Sequence, residues 1–190
     1  TEEFKYNSFD GVPNWPSVLR RSRSEISYFK RCIRKVRLCR TFQHRAWRSF
    51  ILLHKNKSPK DILIAVNSYF NQWPYKEDKD VYDKADYWAS LGEFMKNSGD
   101  CEDYAIAKYY TLRAFGFPEE SLRIVAFSKQ ENTKAHVVLA TYIDGDISIL
   151  DNQKNYVYSQ KEADERVPLY SINQSTRWIH VPRTLALNSP

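Results

Sequence analysis

The feature that most narrows the possible folds is a change of rhythm at Gly116. Before it, apolar residues recur every three or four positions; after it, they alternate or come in short runs. From about Ser17 to Phe42, the residues Ile26, Phe29, Ile33, Val36 and Cys39 mark one face of a long amphipathic helix whose other face is filled by Arg and Lys. Phe42, Ala46, Trp47, Phe50, Ile51 and Leu53 carry the apolar pattern toward a loop at Lys55-Asn56-Lys57. Ser58-Pro59-Lys60-Asp61 reads as a helix start, with a capping hydroxyl followed by proline in the first turn. Ile62, Val66, Tyr69 and Phe70 form that helix's buried face, and Trp73-Pro74 ends it. Residues 75–86 are polar and acidic, and Asp86 is placed to cap a short helix through Tyr87, Trp88, Leu91 and Phe94. Beyond Pro118, segments 122–127, 135–143, 147–150, 167–172 and 178–181 read as strands, with Asp144-Gly145 as a hairpin turn. Helices first and antiparallel strands second define an α+β protein. Residues 1–16, with Gly11, Pro13 and Pro16 around Trp15, read as an ordered lead-in rather than an element.

A chain of 190 residues that is 42% hydrophobic can bury a full core, and the length suits one domain. Its expected parts are an N-terminal helical part (1–57), a helical lobe (58–118) and a sheet lobe (119–190). Thirteen Tyr, ten Phe and five Trp against only five Gly exclude a disordered or fibrous chain. The net charge of +6 is an asymmetry, with bases gathered between Arg20 and Arg48 and acids at 77–103 and 162–165. That basic stretch reads as a solvated helix face; a nucleic-acid binder would pair the charge with an aromatic stacking pattern, and no such pattern accompanies it. Cys32 and Cys39 stand seven residues apart on what reads as one helix, about 10 Å along its axis. That is too far to bridge, so both are expected to pack as small apolar residues. No run is long and apolar enough for a membrane span, and no signal-peptide pattern opens the sequence.

The chemistry concentrates in Ser98-Gly99-Asp100-Cys101-Glu102-Asp103-Tyr104. Gly99 can supply an unusual turn, Asp100 is a good N-cap acceptor, and Gly116 suits the C-terminal cap of the helix between them. Cys101 would then be the first helical residue, where free backbone N–H groups and the helix dipole favour a thiolate. The dipole is worth only about 0.3–1 kcal/mol, so a base is needed, and three adjacent carboxylates oppose the thiolate. Asp100, Glu102 and Asp103 are hard oxygen ligands that suit calcium better than zinc and would have their charge cancelled by it. Without a cation, the same acids are simply capping and dipole-complementing residues of a first turn.

Downstream, His136 stands at the start of a strand, thirty-five positions after the cysteine, and Asp151 follows the other arm of the Asp144-Gly145 hairpin. Paired arms bring the two together, which allows a Cys101–His136–Asp151 triad. In it His136 takes the thiol proton, Asp151 fixes the imidazole tautomer, and the Cys101 backbone N–H is the natural oxyanion donor. His44, His54 and His180 have no such company and read as surface or packing residues.

Three segments together, Gly99-Asp100-Cys101-Glu102-Asp103-Tyr104-Ala105-Ile106-Ala107-Lys108-Tyr109, Ala135-His136-Val137-Val138-Leu139 and Leu150-Asp151-Asn152, resemble the bacterial transglutaminase-like cysteine proteinases, the LapG group. Asp86-Tyr87-Trp88, Glu93-Phe94, Leu122-Arg123 and Pro168-Leu169-Tyr170-Ser171-Ile172-Asn173 extend the resemblance over roughly 58–180. It implies a papain-like, transglutaminase-like core and a periplasmic, calcium-dependent endopeptidase. The substrate implied is the N-terminal region of a large surface adhesin, cut between paired alanines to promote biofilm dispersal. The implied partner is the periplasmic domain of an inner-membrane cyclic-di-GMP receptor that withholds the protease. Carried over by residue, Cys101, His136 and Asp151 match the triad, while Asp100 and Glu102, with Asp103 less firmly, match the calcium acids. The competing readings are an acyltransferase using the same triad and a non-catalytic calcium-dependent interaction module.

Overall fold

The computed structural model describes residues 1–128, 135–163 and 167–182. Lys134, beside the His136 strand, and Asp164 and Glu165 of the second acidic stretch lie outside the described residues. The rhythm change at Gly116 separates two layers. The helical layer comprises α1 (Trp15–Arg34), α2 (Phe42–His54), α3 (Pro59–Asn71), α4 (Asp78–Tyr82), α5 (Leu91–Asn97) and α6 (Cys101–Phe115). The strands are β1 (Glu2–Tyr6), β2 (Leu122–Ser128), β3 (His136–Ile143), β4 (Asp146–Leu150), β5 (Tyr158–Ser159), β6 (Val167–Ile172) and β7 (Arg177–Val181). They form one sheet in the order β1-β7-β6-β2-β3-β4-β5, every neighbour antiparallel. The α+β class is as the sequence implies.

Alternation along β2 sorts its side chains between two cores. Leu122, Ile124 and Ala126 join Val137, Leu139, Leu150 and Ile172 under the helices, while Val125 and Phe127 pack with Val138, Ala140, Ile149 and Tyr158 on the opposite face. Helix α6 lies between the sheet and the other helices, against β3, β2, α3 and α5. Its residues from Glu102 to Leu112 are all buried, which is why it shows little amphipathic pattern. Trp15 and Trp47 tie the N-terminal helices to this centre, their indole N–H groups donating to the Asn173 carbonyl at 2.8 Å and to Thr111 Oγ1 at 3.0 Å.

Several local expectations hold. Ser58 caps α3 by accepting the Asp61 N–H at 3.2 Å, and Gly116 ends α6 with φ +97°. Asp144 and Gly145 both have positive φ, as a two-residue hairpin turn requires. Others need correction. Helix α1 starts at Trp15, ahead of Ser17, with Pro16 in its first turn. The lead-in also holds β1, which pairs along β7 with Glu2 opposite Val181. Asp86 caps no helix: α5 begins at Leu91, where Ser90 and Glu93 form a reciprocal capping box. The long basic helix stops at Arg34. Lys35 takes an extended conformation and a 3-10 turn at Val36–Leu38 folds the chain back. This brings the Cα atoms of Cys32 and Cys39 to 4.7 Å, and the two cysteines form a disulfide. The expectation of unbridged cysteines assumed an unbroken helix and is overturned.

Candidate active site and acidic cluster

Cys101 is the first residue of α6, as its neighbours imply, and Asp100 is the N-cap residue. The unusual backbone just before it falls on Ser98, with φ +66°, rather than on Gly99. Gly99 is required for space: a Cβ there would lie 1.9 Å from Asp103 Oδ2. Asp103, fully buried, accepts the Ala89 N–H at 2.6 Å and reaches back to the Asp100 N–H at 3.4 Å, so it braces the turn that presents the cysteine.

The hairpin register explains the second half of the site. Leu139 with Leu150 is the last pair of the β3–β4 ladder, so Asp151 follows the paired arm directly and comes beside the start of β3, where His136 stands. His136 Nε2 lies 2.8 Å from Asp151 Oδ1 with both residues buried. Tyr158 donates its hydroxyl to Asp151 Oδ2 at 3.0 Å and the Gln153 N–H donates to Oδ1 at 2.9 Å. Burial alone would raise the Asp151 carboxyl; the hydrogen bonds and charge of His136, with those two donors, hold it well below the usual range. An ionised Asp151 fixes the proton on Nε2 and leaves Nδ1 as the basic nitrogen.

Helix α6 packs against β3, the strand that begins at His136, and the Val137 backbone N–H opposes the rise in the Cys101 pKa. The thiol donates to Glu102 Oε2 at 3.1 Å. Burial, reinforced by the Glu102 carboxylate, pushes the thiol pKa up, so the carboxylates outweigh the helix dipole here. A cysteine at the start of α6, a histidine at the start of β3 and an aspartate just after β4 are the residue types that acyl transfer through a thioester uses.

The acids do not act alone. One oxygen from each of Asp78, Asp100 and Asp103 lies within 4.8 Å of the others, as does one from each of Asp78, Asp86 and Glu102. All three acids expected from the sequence are therefore in the cluster, and two more join it. Asp78, at the start of α4, accepts the Tyr87 N–H at 2.5 Å through Oδ2. Asp86 is held by Asn14 at 2.7 Å and by the Trp88 indole at 3.1 Å. Sequence reasoning passed over Asp78 and read Asp86 as a cap, although the acidic run at 75–86 was the available signal. Asp78 Oδ1 and Asp100 Oδ1 are buried with no hydrogen-bond partner among the described residues. Burial pushes Asp78 up to about 6. Burial and then the Glu102 and Asp103 charges push Asp100 up to about 10, and burial lifts Asp103 well above the carboxylate range. Orphaned buried oxygens among carboxylates that resist ionising together fit a hard divalent cation.

A further support lies behind Asp151. Asn71 Nδ2 donates to the Asp151 and Lys154 carbonyls at 2.8 and 2.9 Å, and Asn67 Nδ2 donates to the same Lys154 carbonyl at 2.9 Å. Fully buried Lys108 donates to Asn67 Oδ1 at 2.8 Å. Helices α3 and α6 thereby clamp the turn that carries the acid. These residues gave no sequence signal beyond lying among buried apolar positions.

Comparison with known proteins agrees with this geometry. A family model described as bacterial transglutaminase-like cysteine proteinase matches residues 19–185. Three solved structures of Legionella pneumophila LapG are similar. The calcium-bound form is 36% identical with a TM-score of 0.65, covering 72% of this chain and 77% of that one. A second LapG structure is 35% identical with a TM-score of 0.66, covering 77% and 82%. The EGTA-treated form is 36% identical with a TM-score of 0.67, covering 74% and 77%. No curated protein sequence matches the chain. With nearly its whole length matched by one family model and LapG structures 35–36% identical over about three quarters of it, the chain belongs to the bacterial transglutaminase-like cysteine proteinases.

Proposed function

We propose that this cysteine protease is a calcium-dependent endopeptidase of the periplasm that cuts the N-terminal region of a large surface adhesin between paired alanines. Its release of the adhesin promotes biofilm dispersal, and the periplasmic domain of an inner-membrane cyclic-di-GMP receptor withholds it until then. The observation that carries the catalytic part is the buried His136–Asp151 pair at the start of the strand on which the Cys101 helix packs. Membership of the family and likeness to LapG support the substrate, the compartment and the receptor.

In the reaction, His136 Nδ1 takes the thiol proton and Cys101 Sγ attacks the peptide carbonyl carbon. The Cys101 backbone N–H, at the open end of α6, stabilises the oxyanion. As the intermediate collapses, the C–N bond breaks and the imidazolium gives its proton to the leaving amine. A water then loses a proton to Nδ1 and attacks the thioester; the acid departs and the sulfur recovers the proton. Asp151 holds the ring and balances the imidazolium charge throughout. Asp78, Asp86, Asp100, Glu102 and Asp103 are the residues that would hold calcium. The bound ion would supply positive charge that lets Asp78, Asp100 and Asp103 ionise beside the thiol. The calcium-bound form of Legionella LapG and the all-oxygen donor set here support that assignment.

The test is incubation with an adhesin fragment containing a dialanine, in calcium or in excess EGTA, with and without a primary amine. Two hydrolytic fragments are expected in calcium, none in EGTA, none from Cys101→Ala, and no recovery on adding zinc. Full cleavage by Cys101→Ala removes the nucleophile assignment, cleavage in EGTA removes the metal, and an amine adduct in place of hydrolysis makes the protein an acyltransferase.

A further inference from the structure

The basic stretch has no part in the site described above, and the break in its helix gives it a shape of its own. No Asp or Glu occurs between Glu25 and Asp61. At the far end of α1 the chain turns at Lys35, runs through the 3-10 turn and is pinned by the Cys32–Cys39 disulfide, both of whose cysteines are buried. Every residue from Arg34 to Leu38 is exposed. Among the described residues Arg34, Lys35 and Arg37 form no ion pair, so their charges face solvent without a counter-charge. Interleaved with them are apolar side chains that the fold leaves outside: Val36 at 49% exposure, Leu38 at 41% and, just beyond the disulfide, Phe42 at 74%.

We propose that this disulfide-closed loop docks the protein on an anionic phospholipid surface. The bases meet the headgroup phosphates, and Val36, Leu38 and Phe42 enter the boundary between headgroups and acyl chains. Three observations favour a lipid layer over an acidic protein. The apolar and basic groups alternate within a few residues, as a surface with phosphates above and hydrocarbon below requires. The loop from Cys32 to Phe42 is eleven residues, fewer than the roughly 20–30 that one side of a stable protein interface uses. The absence of any acid over the whole stretch suits a uniformly negative surface and offers no complementary pattern to a mixed-charge one. The loop leaves the opposite end of α1 from Asn14, which holds Asp86 of the acidic cluster. Twenty residues of helix, about 30 Å, therefore separate the docking loop from the catalytic end.

The test is cosedimentation with vesicles of equal parts phosphatidylglycerol and phosphatidylcholine, against phosphatidylcholine alone, at low and high salt. Binding is expected to the anionic vesicles only and to fall at high salt. It should also fall about tenfold or more in the triple variant Arg34→Glu, Lys35→Glu, Arg37→Glu, and in the pair Leu38→Ser, Phe42→Ser. Thermal unfolding and cleavage of a soluble peptide should be those of the wild type in both variants, which keeps this result separate from the proteolytic reading. No binding to anionic vesicles, or undiminished binding by either variant, overturns the proposal. Equally tight binding to soluble polyglutamate would instead make the loop a site for acidic polypeptides.

Discussion

At the residue scale, the positions around Cys101 are fixed by space and charge more than by propensity. A methyl group on Gly99 would collide with a carboxylate that cannot swing away, because Asp103 is buried and bonded to the Ala89 N–H. Gly99→Ala should cost about 1–3 kcal/mol in stability, the usual penalty of an overfilled interior, and should lower kcat more than KM by displacing the cysteine; urea melts and steady-state kinetics read both. Lys108 is a second case. Burial lowers its pKa to about 7, with the Asp151 charge opposing the shift. The unfolded chain keeps that proton to about pH 10.4. Unfolding therefore takes up a proton between those limits, and this group's contribution to stability rises with pH through that window. Lys108→Met should flatten the wild-type rise in urea midpoint between pH 7 and pH 10; an unchanged slope would show that the lysine stays charged.

At the element scale, the strands with alternating or continuous apolar residues were legible from the sequence, and so was the helix that starts at Cys101. Both follow from burial, which writes itself into the order of side chains. The elements that escaped are those without a buried face. All five residues of β1 are exposed, so nothing in Glu2–Tyr6 distinguishes an edge strand from a tail. Helix α4 is five residues long and mostly charged. The His136–Asp151 pair was readable because a hairpin makes two distant residues local; Asp78 lay in an acidic run, but its place in the cluster comes from tertiary packing. The end of α1 carries no glycine or proline, and the periodicity runs through it, so the disulfide was hidden. With a sequence separation of 7, that bond should contribute about 2–3 kcal/mol by limiting the unfolded chain. Cys32→Ser with Cys39→Ser should lower Tm by roughly 5–10 °C and leave cleavage of a soluble peptide unchanged.

At the scale of the whole molecule, the acidic cluster draws on three segments: α4, the stretch before α5, and the start of α6. A cation bound there would stabilise the folded state by about 2.7 kcal/mol at a hundred times its Kd. Calcium is therefore expected to raise Tm by about 5–10 °C over the EGTA-treated protein, and Asp78→Asn should abolish most of that difference; scanning calorimetry decides it. The sheet carries a different consequence. Because Glu2 of the edge strand β1 lies opposite Val181 of β7, a polypeptide trimmed after residue 182 could be sewn shut there with a tight turn and cut open at Asp144-Gly145 instead. Such a circular permutant would keep every strand neighbour while severing the covalent tether between the arms that carry imidazole and carboxylate. Its turnover would reveal whether sheet hydrogen bonding alone can align an acid and a base that chain connectivity now holds together.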